Sequence, residues 1–179
     1  GYAGQQNATL NAWTPATSAP GTVLHVRHGG LQVALLRFDL SPVPPGAVLR
    51  SVRLRLYVLG RTNANSLQVQ GYALSRAWSP TQANWLQAAA GSPWAKAGGN
   101  GIPADRLGTA ALALALQATG TWVEADVTEL VRGWLQNPDS NYGLSLQGNG
   151  SGPVAYSLGG AEHADSQLRP QLELTWDQG

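Results

Sequence analysis

Glu124 and Asp126 stand two residues apart beside Trp122 in the stretch TWVEADV. Glycoside hydrolysis uses two carboxylates flanking the scissile bond. On a strand, residues i and i+2 share a face and lie about 7 Å apart, a common spacing. Asp126 also stands just before a helical pattern, where a carboxylate serves as a cap, and capping is the stronger explanation. The histidines are His25, His28 and His163. His25 and His28 are three apart on an expected strand, so they point to opposite faces and do not share one metal. GGAEHADS groups Glu162, His163 and Asp165. It could hold calcium through Glu162 and Asp165, although a solvated loop is the simpler reading. No serine lies in a GxSxG elbow. The expectation is therefore no enzyme, no catalytic residue and no cofactor beyond that calcium.

Aromatic rings offer a different chemistry. The chain has 7 tryptophans, and an exposed indole presents an apolar face with a polar tip, suited to stacking on a sugar ring. Trp134 falls on the inner stripe of a helix, and Trp176 shares a face with Leu172 and Leu174. Trp78, Trp85 and Trp94 pin a long loop, so these five are expected to be core. Trp13 and Trp122 face away from the apolar positions of their strands. With Tyr57, Arg53 and Arg55 they form a candidate carbohydrate face. Asn7 (NAT) and Asn149 (NGS) head acceptor sequons for glycosylation.

Strands must position these residues. In VRLRLYVL (52–59), Val52, Leu54, Leu56 and Val58 point one way and Arg53, Arg55 and Tyr57 the other, the pattern of a half-buried strand. Similar alternation predicts strands in 22–28, 33–40, 66–74, 110–118, 121–127, 142–148, 154–158 and 171–176. SPVPPGA (41–47) interrupts it, because proline lacks a backbone donor. Leu130, Val131, Trp134 and Leu135 make one helical stripe, capped by Asp126 or Thr128 and stopped at Asn137-Pro138. The stretch 79–108, rich in glycine and proline, is expected to be an ordered surface excursion with a helical turn after Ser79-Pro80. About ten short strands and one helix predict an all-β, jelly-roll-like β-sandwich over 14–179.

Ahead of it lies a segment, 1–13, that opens with a flexible GYAGQQ. Ala8, Leu10 and Ala12 alternate there with Thr9, Asn11 and Trp13, so this is a short strand tethered on one side. Such a strand can add to a neighbour's sheet, and head-to-tail addition builds an open filament.

Composition narrows the partners. Charged residues are 12% and the formal net charge is +1, which argues against nucleic acid. No apolar run reaches the ~18 residues of a membrane helix. There is no cysteine, hence no disulfide and no thiolate zinc site. There is also no methionine, which predicts an amino end made by cleavage and an exported, extracellular or cell-surface chain.

LLRFDLSPVPPGAVLRSVRLRLYV resembles the DNRLRE domain of secreted prokaryotic proteins. The family pattern is an L-x-F-D-L segment, a proline-glycine connection and a strand ending L-x-L-Y. Those positions are Leu36, Phe38, Asp39 and Leu40, then Pro44, Pro45 and Gly46, then Leu54, Leu56 and Tyr57. RAWSPTQANWLQAAAGSPW, WVEADVTELVRGWL and the closing strands follow in the family's order, with Ser79-Pro80-Thr81 and Asn84 departing from it. The resemblance implies an extracellular, non-catalytic β-sandwich, and some members are carbohydrate-binding modules. The leading functional expectation is a structural subunit that self-assembles with copies of itself through Ala8–Trp13. The alternative is a carbohydrate-binding module of a secreted, polysaccharide-active protein.

Overall fold

Residue alternation builds the sheets. The computed structural model describes residues 4–19 and 21–178. Its strands are β1 (Gln5–Asn11), β2 (Val23–Arg27), β3 (Gln32–Phe38), β4 (Val48–Arg61), β5 (Leu67–Ala73), β6 (Gln87–Ala89), β7 (Ser92–Pro93), β8 (Leu112–Leu116), β9 (Thr121–Asp126), β10 (Leu144–Asn149), β11 (Ala155–Gly159) and β12 (Gln171–Asp177). One helix, α1 (Thr128–Gln136), follows β9. Ten strands form a single sheet in the order β12-β4-β11-β2-β3-β10-β5-β8, with β1 on β3 and β9 on β4. β8 and β9 also lie alongside each other. The sheet therefore folds into two layers and nearly closes, giving the expected jelly-roll-like β-sandwich with one short helix.

The long β4 organises one layer. Val52, Leu54, Leu56 and Val58 are fully buried, as the alternation requires. They meet Leu24, Val26, Leu36, Leu116 and Leu146 in the main core. β9 lies along one edge of β4, and β12 and β11 follow one another along the other. α1 turns its apolar stripe in, burying Val131 and Trp134. The helix is tied to β4 because the Thr128 hydroxyl accepts the Val52 N–H at 2.9 Å. Among the described residues no helix is long and apolar enough to cross a membrane.

The outer face of the second layer is covered by the excursion. Ala8, Leu10, Val33 and Leu35 pack there against Trp94, Trp78 and Trp85, a second and smaller core. The three tryptophans pin the loop as expected, and Ala83 N–H donates to Ser79 O to make the helical turn. Trp78 Nε1 donates to Tyr142 O and Trp94 Nε1 to Asn84 O, so the indole donors of the half-buried Trp78 and the buried Trp94 are both satisfied. The excursion's hub is Asp105, which has no exposed surface. Its carboxylate accepts the N–H groups of Ala95, Lys96 and Gly101 and pairs with Arg76. Burial alone would raise its pKa, but these donors hold it below the ordinary value.

The first strand corrects the assembly reading. β1 pairs antiparallel with β3 of its own chain, from Gln5↔Phe38 to Asn11↔Gln32. Gln5 and Gln6 belong to this strand, so the flexible opening expected in GYAGQQ does not extend to them, and residues 1–3 lie outside the described part. Ala12 and Trp13 fall in the turn that follows. Ala8, Thr9, Leu10 and Asn11 are therefore committed at home, for a physical reason that alternation does not reveal: both faces of β1 are buried. Ala8 and Leu10 face the excursion. On the other face, Thr9 Oγ1 accepts the His25 N–H, and the Asn7 amide donates to Gly21 O and accepts from Ala161 N. Donating this strand would expose two packed surfaces and strand three polar contacts.

Candidate functional site

Three strands present one outer face. The register of β4 with β9 places Tyr57 opposite Trp122, Arg55 opposite Glu124 and Arg53 opposite Asp126. The register with β12 adds Gln171 opposite Arg55 and Glu173 opposite Arg53. Tyr57, Arg55 and Arg53 reach this face because the even-numbered neighbours of β4 are consumed by the core. Four of the five residues expected to form a carbohydrate face are thus brought together.

Their contacts form a network. The Tyr57 and Trp122 rings meet edge to face, with centroids 5.3 Å apart and an interplanar angle of 70°. The Arg55 guanidinium lies 4.7 Å from the Trp122 ring centre. Arg55 Nε donates to Glu124 Oε1 at 2.8 Å, and Arg55 Nη1 donates to Gln171 at 3.2 Å. Arg53 approaches the other Glu124 oxygen at 3.8 Å. Each such exposed ion pair adds little stability, a median of ~0–1 kcal/mol. Its effect here is to orient the side chains. Arg55 is fixed from two sides while Trp122 and Tyr57 remain half exposed.

The expected fifth residue is elsewhere. Trp13 is 60% exposed, as expected, but sits in the turn after β1. Its ring packs against Arg27 of β2, 4.4 Å from the ring centre. β4 and β11 separate β2 from β9 in the sheet. The reason is that β1 pairs with β3 in the other layer, so its trailing residues emerge at the β2–β3 turn.

The carboxylates are committed to structure. Glu124 serves the two arginines. Asp126 Oδ1 accepts both the N–H and the hydroxyl of Thr128, at 2.9 and 2.6 Å, which starts α1 although Val127 is the formal cap position. Those bonds, the hydroxyl's first, hold its pKa below the ordinary carboxylate value. Asp165 accepts the Gln167 N–H at the start of a short 3-10 turn, while Glu162 is exposed beside it. Among the described residues no group of three or more His, Asp or Glu side chains converges on a point that would suit a metal. His25 is partly buried near Ser157, and burial, then Arg27, lowers its pKa.

The two sequons part company. Asn149 is exposed at the end of β10. Asn7 is 3% exposed and spent on Gly21 and Ala161, so the expected glycosylation there is corrected: no enzyme reaches a buried amide within a paired strand.

Sequence reasoning set Glu124 beside Trp122 without assigning it to the carbohydrate face, and it missed Gln171. Glu124 clamps both arginines and Gln171 holds Arg55 from the other side. A signal existed, since VRLRLY and WVEAD carry complementary charges at the same period, but only the strand register aligns them. A cleft of about 780 Å³ between the 41–47 connection and α1 is lined by Trp134, Leu135 and Pro44, among others. It offers no exposed ring, because Trp134 is buried. Its Arg37 and Arg132 are bonded to the Asn141 and Leu49 carbonyls.

The family model for carbohydrate-binding module family 96 matches residues 18–176. No curated protein matches the chain.

Proposed function

The chain belongs to carbohydrate-binding module family 96, and on that premise we propose that it binds a polysaccharide outside the cell, without cleaving it, on the outer face of β9, β4 and β12. The observation that carries this reading is the Trp122–Tyr57 pair flanked by the fixed Arg55. A sugar ring has an apolar C–H face and a rim of hydroxyls. The half-exposed rings offer the first a stacking surface. Arg55, Gln171 and Glu124 offer the second donors and acceptors held in place before the ligand arrives. The resemblance to DNRLRE domains, some of which bind carbohydrate, points the same way.

The charge on the face selects the class of glycan. Arg53 and Arg55 are matched by Glu124 and Asp126, and Glu173 adds a further negative charge. Among the described residues of β9, β4 and β12 both arginines of this face are paired with Glu124, so the reading for the face itself is a neutral polysaccharide. The test is electrophoresis through gels cast with a β-glucan, a mannan, a xylan or alginate. The expected result is retardation in a neutral gel and its loss in Trp122→Ala, with affinity lower by about tenfold. Retardation by alginate alone would refute neutrality. A Trp122→Ala variant retarded like the intact chain would refute the face.

A further inference from the structure

Behind the β12 edge of that face lies a slot of about 520 Å³, within the range of ligand pockets. Phe38, Leu40, Val43, Leu172, Leu174 and Trp176 line it. From β12, Leu172, Leu174 and Trp176 give the slot its apolar wall, and Gln171 and Glu173 border it as well. Trp176, expected to be core, is 38% exposed instead. The register shift between Thr175 and Trp176 pairs it with Leu49, near the end of β12. Its ring therefore stands at the mouth of the slot.

Polar groups rim the opening. Gln5 Nε2 donates to Pro170 O, which ties β1 to the entry of β12, and among the described residues Gln5 Oε1 has no partner. Arg169 Nε donates to His163 O, and among the described residues its two terminal nitrogens have no hydrogen-bond partner. Arg169 lies just ahead of β12, after the 3-10 turn Ser166–Leu168, and borders the slot. Gln171 and Glu173 belong both to the outer face and to the lining of the slot, so the two adjoin.

We infer that the slot is a second subsite for the same polysaccharide, in which Trp176 stacks on one sugar ring and Arg169 binds its hydroxyls. The inference rests on the proposed carbohydrate reading. An apolar floor with an indole at its mouth and a hydrogen-bonding rim matches an amphipathic ring, whereas a wholly apolar occupant would leave the rim groups without partners.

The experiment is calorimetric titration of the intact chain, Trp176→Ala, Trp176→Phe, Arg169→Gln and Trp122→Ala. The probes are cello-, manno- and xylo-oligosaccharides of two and six units. Thermal melts confirm that each variant folds. The expected result is that Trp176→Ala weakens six-unit binding about fivefold and leaves two-unit binding unchanged, while Trp176→Phe recovers most of the loss. Arg169→Gln lowers six-unit affinity in the same direction. Six-unit affinity equal to that of the intact chain in both Trp176→Ala and Arg169→Gln overturns the subsite, while a loss in Trp122→Ala still supports the face. Loss in Trp176→Ala without loss in Trp122→Ala keeps the slot and overturns the face. An intact chain that binds none of the three series overturns both. A change in particle mass by light scattering in Trp176→Ala would make the slot a contact between copies and overturn it too.

Discussion

Asp105 shows how much one side chain organises. Three backbone donors and one guanidinium converge on a carboxylate with no exposed surface. Removing it leaves those donors buried without an acceptor, so Asp105→Ala is expected to cost on the order of 3 kcal/mol, read as a shift in the urea midpoint. The sign of its pH dependence follows from the lowered pKa. The stability it contributes is fully present above the ordinary carboxylate value of about 4 and lost as pH falls through the lower folded-state value. Melting temperature against pH should therefore fall more steeply below about pH 4 in the intact chain than in Asp105→Asn. Asp126 bears on helix initiation in the same direction: Asp126→Ala should cost about 1 kcal/mol by losing the acceptor for Thr128.

Among the elements, β1 and β4 mark how far the sequence is legible. In β4 one face is core and the other solvent, so the period-2 pattern reads off both the burial of Leu54 and Leu56 and the exposure of Arg53 and Tyr57. β1 has the same pattern but is covered on both sides, and nothing local distinguishes a buried Asn7 or Thr9 from an exposed one. Their partners, Gly21, Ala161 and the His25 N–H, come from loops and strands distant in sequence. The candidate face is similarly divided. Alternation assigns Trp122, Tyr57, Arg55 and Arg53 to outer faces, but strand order decides that they are neighbours and that Trp13 is not. Trp176 eluded the pattern because a register shift just before it, near the end of β12, breaks the alternation that Leu172 and Leu174 follow. The element-scale prediction concerns β1: Leu10→Ala, which opens a cavity under the excursion, should destabilise by about 2–5 kcal/mol in chemical denaturation.

At the scale of the whole molecule, the sandwich is asymmetric. One outer face carries the ring-and-arginine network, and the other is sealed by the excursion and its tryptophans. Deletion of residues 1–13 is expected to abolish cooperative unfolding by removing a strand buried on both faces, and light scattering of the intact chain should show single copies. The asymmetry also sets how the protein lies on a polymer. With β9, β4 and β12 turned down onto the glycan, the excursion is the side turned up to solution. Lys96, the chain's single lysine, is exposed on that excursion. A dye or bead coupled to its ε-amine would sit on the upper surface, so the attached protein should coat a polysaccharide fibre in one orientation and with unchanged affinity.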